Sequence, residues 1–315
     1  MVRRWLEDQH WERNGDSPCL SLGAPGAFDD AHIFAPCVTY EGGRYAMWYC
    51  GSRGTVEDRV FALGLATSVD GVHFTKHPDS PVLRFADRER SILTPTLLRH
   101  ANGAVCREDG NLRMWFSSCS FPAGDGMHTL HETTSRNGRD WTSPSAALLA
   151  HVYAPTILKE GGVYRMWYTD VRQEPWCFRY AESEDGRLWD VKAGAVLVLD
   201  QAWEHERLFY PTVLNVNGVY VMWYGSYSHH AAGEAMKTAL GFATSEDGRT
   251  WRKAPGNPVF GPDPTHDWES HYTTSQSVLR LPDGSWRMWY ASRPAPPFVH
   301  KYFAIGTARW VVRSP

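Results

Sequence analysis

GGVYRMWYTDV, residues 161–171, has four close copies in the chain: GGRYAMWYCGS at 42–52, DGNLRMWFSSC at 109–119, NGVYVMWYGSY at 217–227 and DGSWRMWYASR at 283–293. Each opens on a Gly-Gly, Asp-Gly or Asn-Gly turn and then alternates apolar and polar positions, as a hairpin turn entering a β-strand does. A short apolar run precedes each copy, and four of these runs carry a proline at the same place: Pro36, Pro95, Pro155 and Pro211, with Gln276 in the fifth. Proline lacks the N–H that a ladder needs, so a proline repeated inside a strand pattern marks an edge strand.

Downstream lies a third strand with its own tight turn (LGLATSVDGVHF, HETTSRNGRDW, YAESEDGRLW, GFATSEDGRTW), closed by Phe74, Trp141, Trp189 or Trp251. A short fourth strand follows. Four antiparallel strands repeated about every 60 residues describe a propeller blade whose innermost strand is the proline-bearing edge. The last repeat stops after its third strand, at FAIGTARWVV, while HWERNGDSPCL near the N-terminus resembles the fourth strands FTKHPDSPVL and WRKAPGNPVF, with Trp11 in the place of Trp251. Residues near 10–21 are therefore expected to complete the fifth blade, which leaves no open sheet edge at the seam. An open solenoid or a pair of sandwiches would not explain the split repeat. The fold class predicted is an all-β, five-bladed propeller of four-stranded antiparallel blades, one domain spanning residues 1–315.

The net charge of −3 argues against a nucleic-acid or anionic-membrane surface, and no apolar run is long enough to span a bilayer. None of the six cysteines forms a CxxC pair, and MVRRWLEDQHWERNGD has no apolar h-region, so a cytoplasmic protein with buried thiols is expected.

With this strand order, tight turns occupy one face of the ring, while the start of each first strand and the loop between second and third strands share the other. That other face collects the long loops SRGTVEDR, SCSFPAGDGMHTLH, TDVRQEPWCF, SYSHHAAGEAMKT and SRPAPPFVHK, the usual place for function on a rigid scaffold. Approaching the first strand, three blades repeat an aromatic residue followed by acids: Phe28-Asp29-Asp30, Trp203-Glu204-His205-Glu206 and Trp268-Glu269-Ser270-His271. The second blade offers Glu89 there, and His32 and His151 occupy one position in blades one and three. Any one of these acids reads equally as a loop cap, but carboxylates gathered near one axis repel unless they have a task or a cation.

The MWY strand, the ATSxDGxxW strand-turn and the SPVL/NPVF fourth strand together resemble bacterial five-bladed propellers related to glycoside hydrolase families 43, 32 and 130, over essentially the whole chain. The resemblance implies a site at the mouth of the ring for a small carbohydrate or glycoconjugate. Carboxylates from different blades would act there as base or nucleophile and as general acid. Asp30 or Asp29 matches the base, Glu206 or Glu204 the acid, and His271 a supporting histidine. Where a third-blade carboxylate is expected this chain has His151, with Asp170 the nearest acid.

Three classes stay open. The first is a glycosidase or phosphorylase needing no cofactor, with Arg53, Arg172 and Arg293, each just past a second strand, placed to bind phosphate or a carboxylated sugar. Glu89, His151 and Glu269 would contribute further substrate contacts. The second is an enzyme using a divalent transition-metal ion held by His32, His151 and His271 with Glu206. The third is a non-catalytic glycan-binding propeller.

Overall fold

The computed structural model describes residues 9–55, 59–121, 127–228, 236–294 and 304–310. They form five antiparallel sheets. Blade one runs through His32–Glu41, Arg44–Ser52, Ala62–Ser68 and Thr75–Lys76. Blade two uses Leu93–Leu97, Leu112–Ser118, Thr129–Ser135 and Leu149–Ala150, and blade three Val152–Glu160, Val163–Asp170, Cys177–Ser183 and Asp190–Val191. Blade four comprises His205–Val216, Val219–Ser228, Lys237–Ser245 and Arg252–Lys253. Blade five comprises Tyr272–Arg280, Trp286–Arg293 and Ala304–Trp310, completed by Trp11–Arg13 and Leu20–Ser21. Each innermost strand packs on the next, and the fifth packs on the first, which closes the ring.

The closure forms as the split repeat requires. Trp11 pairs with Trp310 and Leu20 with Ile305, so one interrupted outer strand runs along Ala304–Trp310. The other blades are interrupted likewise: Thr75 pairs with Thr67, then Leu83 with Leu63.

The repeated tryptophan is buried because both faces of each blade are covered by neighbours. Its indole N–H donates to the turn glycine of the next blade: Trp48 to Gly138 (2.8 Å), Trp115 to Gly186 (2.8 Å), Trp167 to Gly248 (2.6 Å) and Trp289 to Gly71 (2.8 Å). At Gly138, φ is +75° and a Cβ would lie 2.6 Å from the Trp48 ring, so only glycine serves. In blade five, among the described residues, no turn glycine plays this part. There the Gln9 side-chain oxygen accepts from Trp223 at 3.0 Å and from Trp11 at 2.9 Å, standing in for the missing carbonyl. Trp11 meets Trp223 edge-on at 6.2 Å, as Trp251 meets Trp167 at 6.4 Å.

The proline position carries a feature that composition does not announce. Ala35, Thr94, Ala154, Tyr210 and Ser275, each directly before Pro36, Pro95, Pro155, Pro211 or Gln276, have φ between +48° and +56°. The ladder slips at each of these places, between Phe34/Cys37, Leu93/Thr96, Tyr153/Thr156, Phe209/Thr212 and Thr274/Ser277. Five equivalent bulges in non-glycine residues, each costing about 1–3 kcal/mol, bend the inner strands around a narrow axial channel.

Candidate functional site

Above the bulges lies a cup of about 240 Å³. Phe34, Leu93, Tyr153, Phe209 and Tyr272 wall it from the inner strands, and Phe121 and Trp176 from the loops. The Tyr153 and Tyr210 hydroxyls hydrogen-bond to each other, and the His128 ring lies 4.6 Å from that of Tyr153. Three guanidinium groups lie flat on the aromatic wall: Arg59 at 3.7 Å over Phe121, Arg207 at 4.3 Å over Trp176 and Arg293 at 3.7 Å over Tyr272. Stacking on a ring holds each planar fork in place. Arg293 is almost fully buried, and Arg207 also pairs with Glu174 at 2.6 Å. Among the described residues no carboxylate lines the cup.

Three of the expected site acids lie elsewhere, each in a repeated set of contacts within its own blade. Asp29 is buried, accepting from the Tyr49 hydroxyl at 2.8 Å and from the Lys76 ammonium at 2.5 Å. Glu204 takes Tyr224 at 2.8 Å and Lys253 at 2.6 Å. Glu269 takes Tyr290 at 2.7 Å, Arg13 at 3.0 Å and His266 at 2.6 Å. In each case the preceding aromatic (Phe28, Trp203 or Trp268) packs about 6 Å from that tyrosine ring. A third-strand glycine (Gly64, Gly241 or Gly306) makes room, since a Cβ there would lie 2.4–2.6 Å from a ring. This clip ties the approach to the first strand onto the outer strand of the same blade. Burial and the adjoining carboxylate push the phenols of Tyr49, Tyr224 and Tyr290 far above the usual range. Asp29 and Glu204, expected as catalytic groups, and Glu269, expected as a substrate contact, each pair with a cation inside their own blade and do not line the cup.

Asp170 is likewise committed, to Arg179 at 2.7 Å and to the Arg172 backbone N–H at 3.0 Å. Arg179 occupies the position that glycine holds in the clip-bearing blades. Glu89 is exposed, its N–H donating to Asp87, and Arg172 is exposed; neither lines the cup. Arg53 lines a separate groove. His32 is buried against Phe61 (5.9 Å), His151 is half-buried with φ +63°, and the His271 N–H donates to the Arg293 carbonyl at 3.2 Å. Among the described residues no three His, Cys, Asp or Glu side chains are placed to hold a metal ion, so His32, His151 and His271 do not form the expected ligand set. A divalent ion needs its ligands within about 2.0–2.6 Å of one point.

Two acids stay outside the clips. Asp30 is half-buried and accepts from the Gly26 N–H at 2.7 Å. Glu206 is exposed at φ +58°, in the irregular pairing between His205 and Leu208 that also carries Arg207 into the cup. Burial raises the phenol of Tyr227, a cup residue; Arg207 and Arg293 pull it the other way, and Glu206 adds a smaller push upward. Of the cup's cations only Arg293 was singled out in the sequence; Arg59, Arg207 and His128 were not, and parts of the loops expected to bear function, at 56–58, 122–126, 229–235 and 295–303, lie outside the described residues.

The fifth-blade clip carries a titratable histidine, His266, hydrogen-bonded to Glu269. Glu269, with smaller help from Asp263 and Asp16, raises the His266 imidazole above its ordinary value. A histidine raised on folding adds stability below its unfolded value, near pH 6.5, and that contribution fades as pH rises through the folded value. His266→Gln should therefore lower the melting temperature at about pH 5.5 and leave it nearly unchanged at pH 9. An equal loss at both pH values would show that the ring matters only for its packing on Trp268.

No family model matches the chain. Two uncharacterized proteins of Mycobacterium tuberculosis, MT1551 and Rv1502, are each 25% identical over 230 residues, covering 69% of this chain and 74% of theirs. Among solved structures, one comes from work on the GH130 family of mannoside phosphorylases, which contains glycoside hydrolases that target β-1,2 mannosidic linkages in Candida mannan. It superposes with a TM-score of 0.74 at 18% identity, covering 98% of this chain and 96% of that one. A glycosyl hydrolase from Bacteroides ovatus gives 0.73 at 17% identity, covering 98% and 95%. An N-acetylgalactosamine deacetylase from F. plautii, in complex with blood group B trisaccharide, gives 0.67 at 16%, covering 96% and 95%. The likeness establishes a shared five-bladed propeller fold.

Proposed function

We propose that this chain is a glycoside-acting enzyme whose substrate is a small sugar or glycoconjugate bearing an acidic group, bound in the aromatic–arginine cup on the propeller axis. The observation that carries the reading is the set of guanidinium groups stacked on rings around one concavity. Aromatic faces suit the apolar faces of a pyranose, and an immobilised fork suits a carboxylate or a phosphate. The fold neighbours include proteins described as hydrolases and phosphorylases. The same arginines favour a second reading, in which inorganic phosphate is the attacking group and the sugar is neutral.

In either reading one carboxyl protonates the leaving oxygen while the opposite face is attacked by activated water, carboxylate or phosphate. We assign these roles to Glu206, which acts electrostatically on the cup residue Tyr227, and to Asp30, both beside the cup rather than in its lining, because Asp29 and Glu204 are already neutralised by lysines. The test is a panel of neutral and uronate aryl glycosides, each assayed with and without phosphate. Arg293→Ala should lower kcat/KM on the acidic substrate, or for phosphate, by about ten- to hundredfold, and lysine at that site should not restore it. Turnover indifferent to both the sugar's acid group and phosphate would overturn the reading.

A further inference from the structure

A second cavity, of about 540 Å³, lies over the connection between blades one and two and shares Phe61 with the cup. Its size is that of an ordinary small-molecule pocket. Four arginines line it, Arg53, Arg84, Arg88 and Arg90, and among the described residues no carboxylate does. Arg90 is held by Asp87 at 2.7 Å and lies 4.2 Å over the Phe85 ring. Arg53, Arg84 and Arg88 make no ion pair among the described residues. Positive charges gathered in one concavity with apolar walls repel one another and focus a field that attracts an anion. Guanidinium forks recognise carboxylate and phosphate edge-on, and the half-buried Phe28 adds an apolar wall for a sugar ring.

We propose that this groove is a second anion-binding subsite, and that the ligand is an oligosaccharide with acidic groups on successive units, one seated in the cup and the next in the groove. The proposal rests on the cup being the acidic-sugar site and extends it from a single residue to an acidic chain. Phe61, common to both cavities, would be the wall past which the linkage runs.

The test is calorimetric titration of the full chain with galacturonate, trigalacturonate, neutral maltotriose and tripolyphosphate. Trigalacturonate should bind at least about tenfold more tightly than galacturonate, with a steeper loss in salt. Replacing Arg84 and Arg88 together (Arg84→Gln, Arg88→Gln) should abolish that gain while galacturonate still binds as before. Maltotriose should show no gain in either protein. Both side chains are exposed, so folding is expected to be preserved and is checked by the melting curve. Equal affinity for the two uronates in the wild type, or a gain that survives the double substitution, overturns the subsite. So does tripolyphosphate binding that matches trigalacturonate, because the groove would then read charge without sugar. Failure of the cup reading appears elsewhere, as galacturonate affinity that Arg293→Ala leaves unchanged.

Discussion

A chain lacking residues 9–21 is expected to accumulate as aggregate, or to remain without a cooperative melting transition. The segment supplies the whole outer edge of blade five, and its loss exposes the ladder groups of Ala304–Trp310 for pairing with other chains. Trp11 packs among Trp223, Phe260 and Trp310, and Leu20 is buried; each such side chain is worth about 1.5–3 kcal/mol. Without Arg13, the buried Glu269 carboxylate loses its guanidinium and keeps only His266 and Tyr290, a defect of about 1–3 kcal/mol. Without Gln9 the Trp223 N–H, deep in the core, loses its acceptor at a further cost of about 1–3 kcal/mol. An ordinary domain has only about 5–15 kcal/mol to lose. The soluble fraction and a calorimetric scan decide the matter, and a soluble truncation that melts cooperatively would mean the seam is not what holds the ring.

The seam was legible because periodicity carries it. Trp11, Arg13 and Leu20 repeat the spacing of Phe74, Lys76 and Leu83, and the structure gives both sets the same partners in their blades. The bulges were not legible: Ala35, Thr94, Ala154, Tyr210 and Ser275 share no residue type, and nothing local marks a positive φ outside glycine. Gln9 was invisible for another reason, since it replaces a backbone carbonyl that the repeat never writes as a residue type. At the mouth, repetition points to contacts within each blade. Acids recurring at one position in three blades belong to the scaffold, whereas a site on the axis draws different residues from each blade. The clue lay in the outer strand, where Lys76, Lys253 and Arg13 fall at matching places and announce the partners of Asp29, Glu204 and Glu269. Arg59 and Arg207 reach the cup through loop and bulge geometry that no periodicity encodes.

The clips also set up the sharpest test of the catalytic assignment, because each disputed pair puts a scaffold acid beside a free one. Asp30→Asn and Glu206→Gln keep shape and remove proton chemistry, so each should slow turnover on the substrate found in the glycoside panel by at least about a hundredfold, or 2.7 kcal/mol. Their melting temperatures should stay close to wild type, since Glu206 is exposed and Asp30 gives up at most one turn hydrogen bond. Asp29→Asn and Glu204→Gln should do the reverse. Glu204→Gln leaves the Lys253 ammonium, whose side chain is only 6% exposed, with Asp200 and the Val198 carbonyl but without its buried carboxylate, a loss of about 1–3 kcal/mol, while turnover per folded molecule changes little. Asp29→Asn should cost less, because the Lys76 side chain is 26% exposed and water takes over part of its charge. Paired measurement of kcat and melting temperature on the four variants separates the roles. If Glu204→Gln lost turnover at an unchanged melting temperature while Glu206→Gln kept both, the clip would be the catalytic group and the assignment here would be inverted.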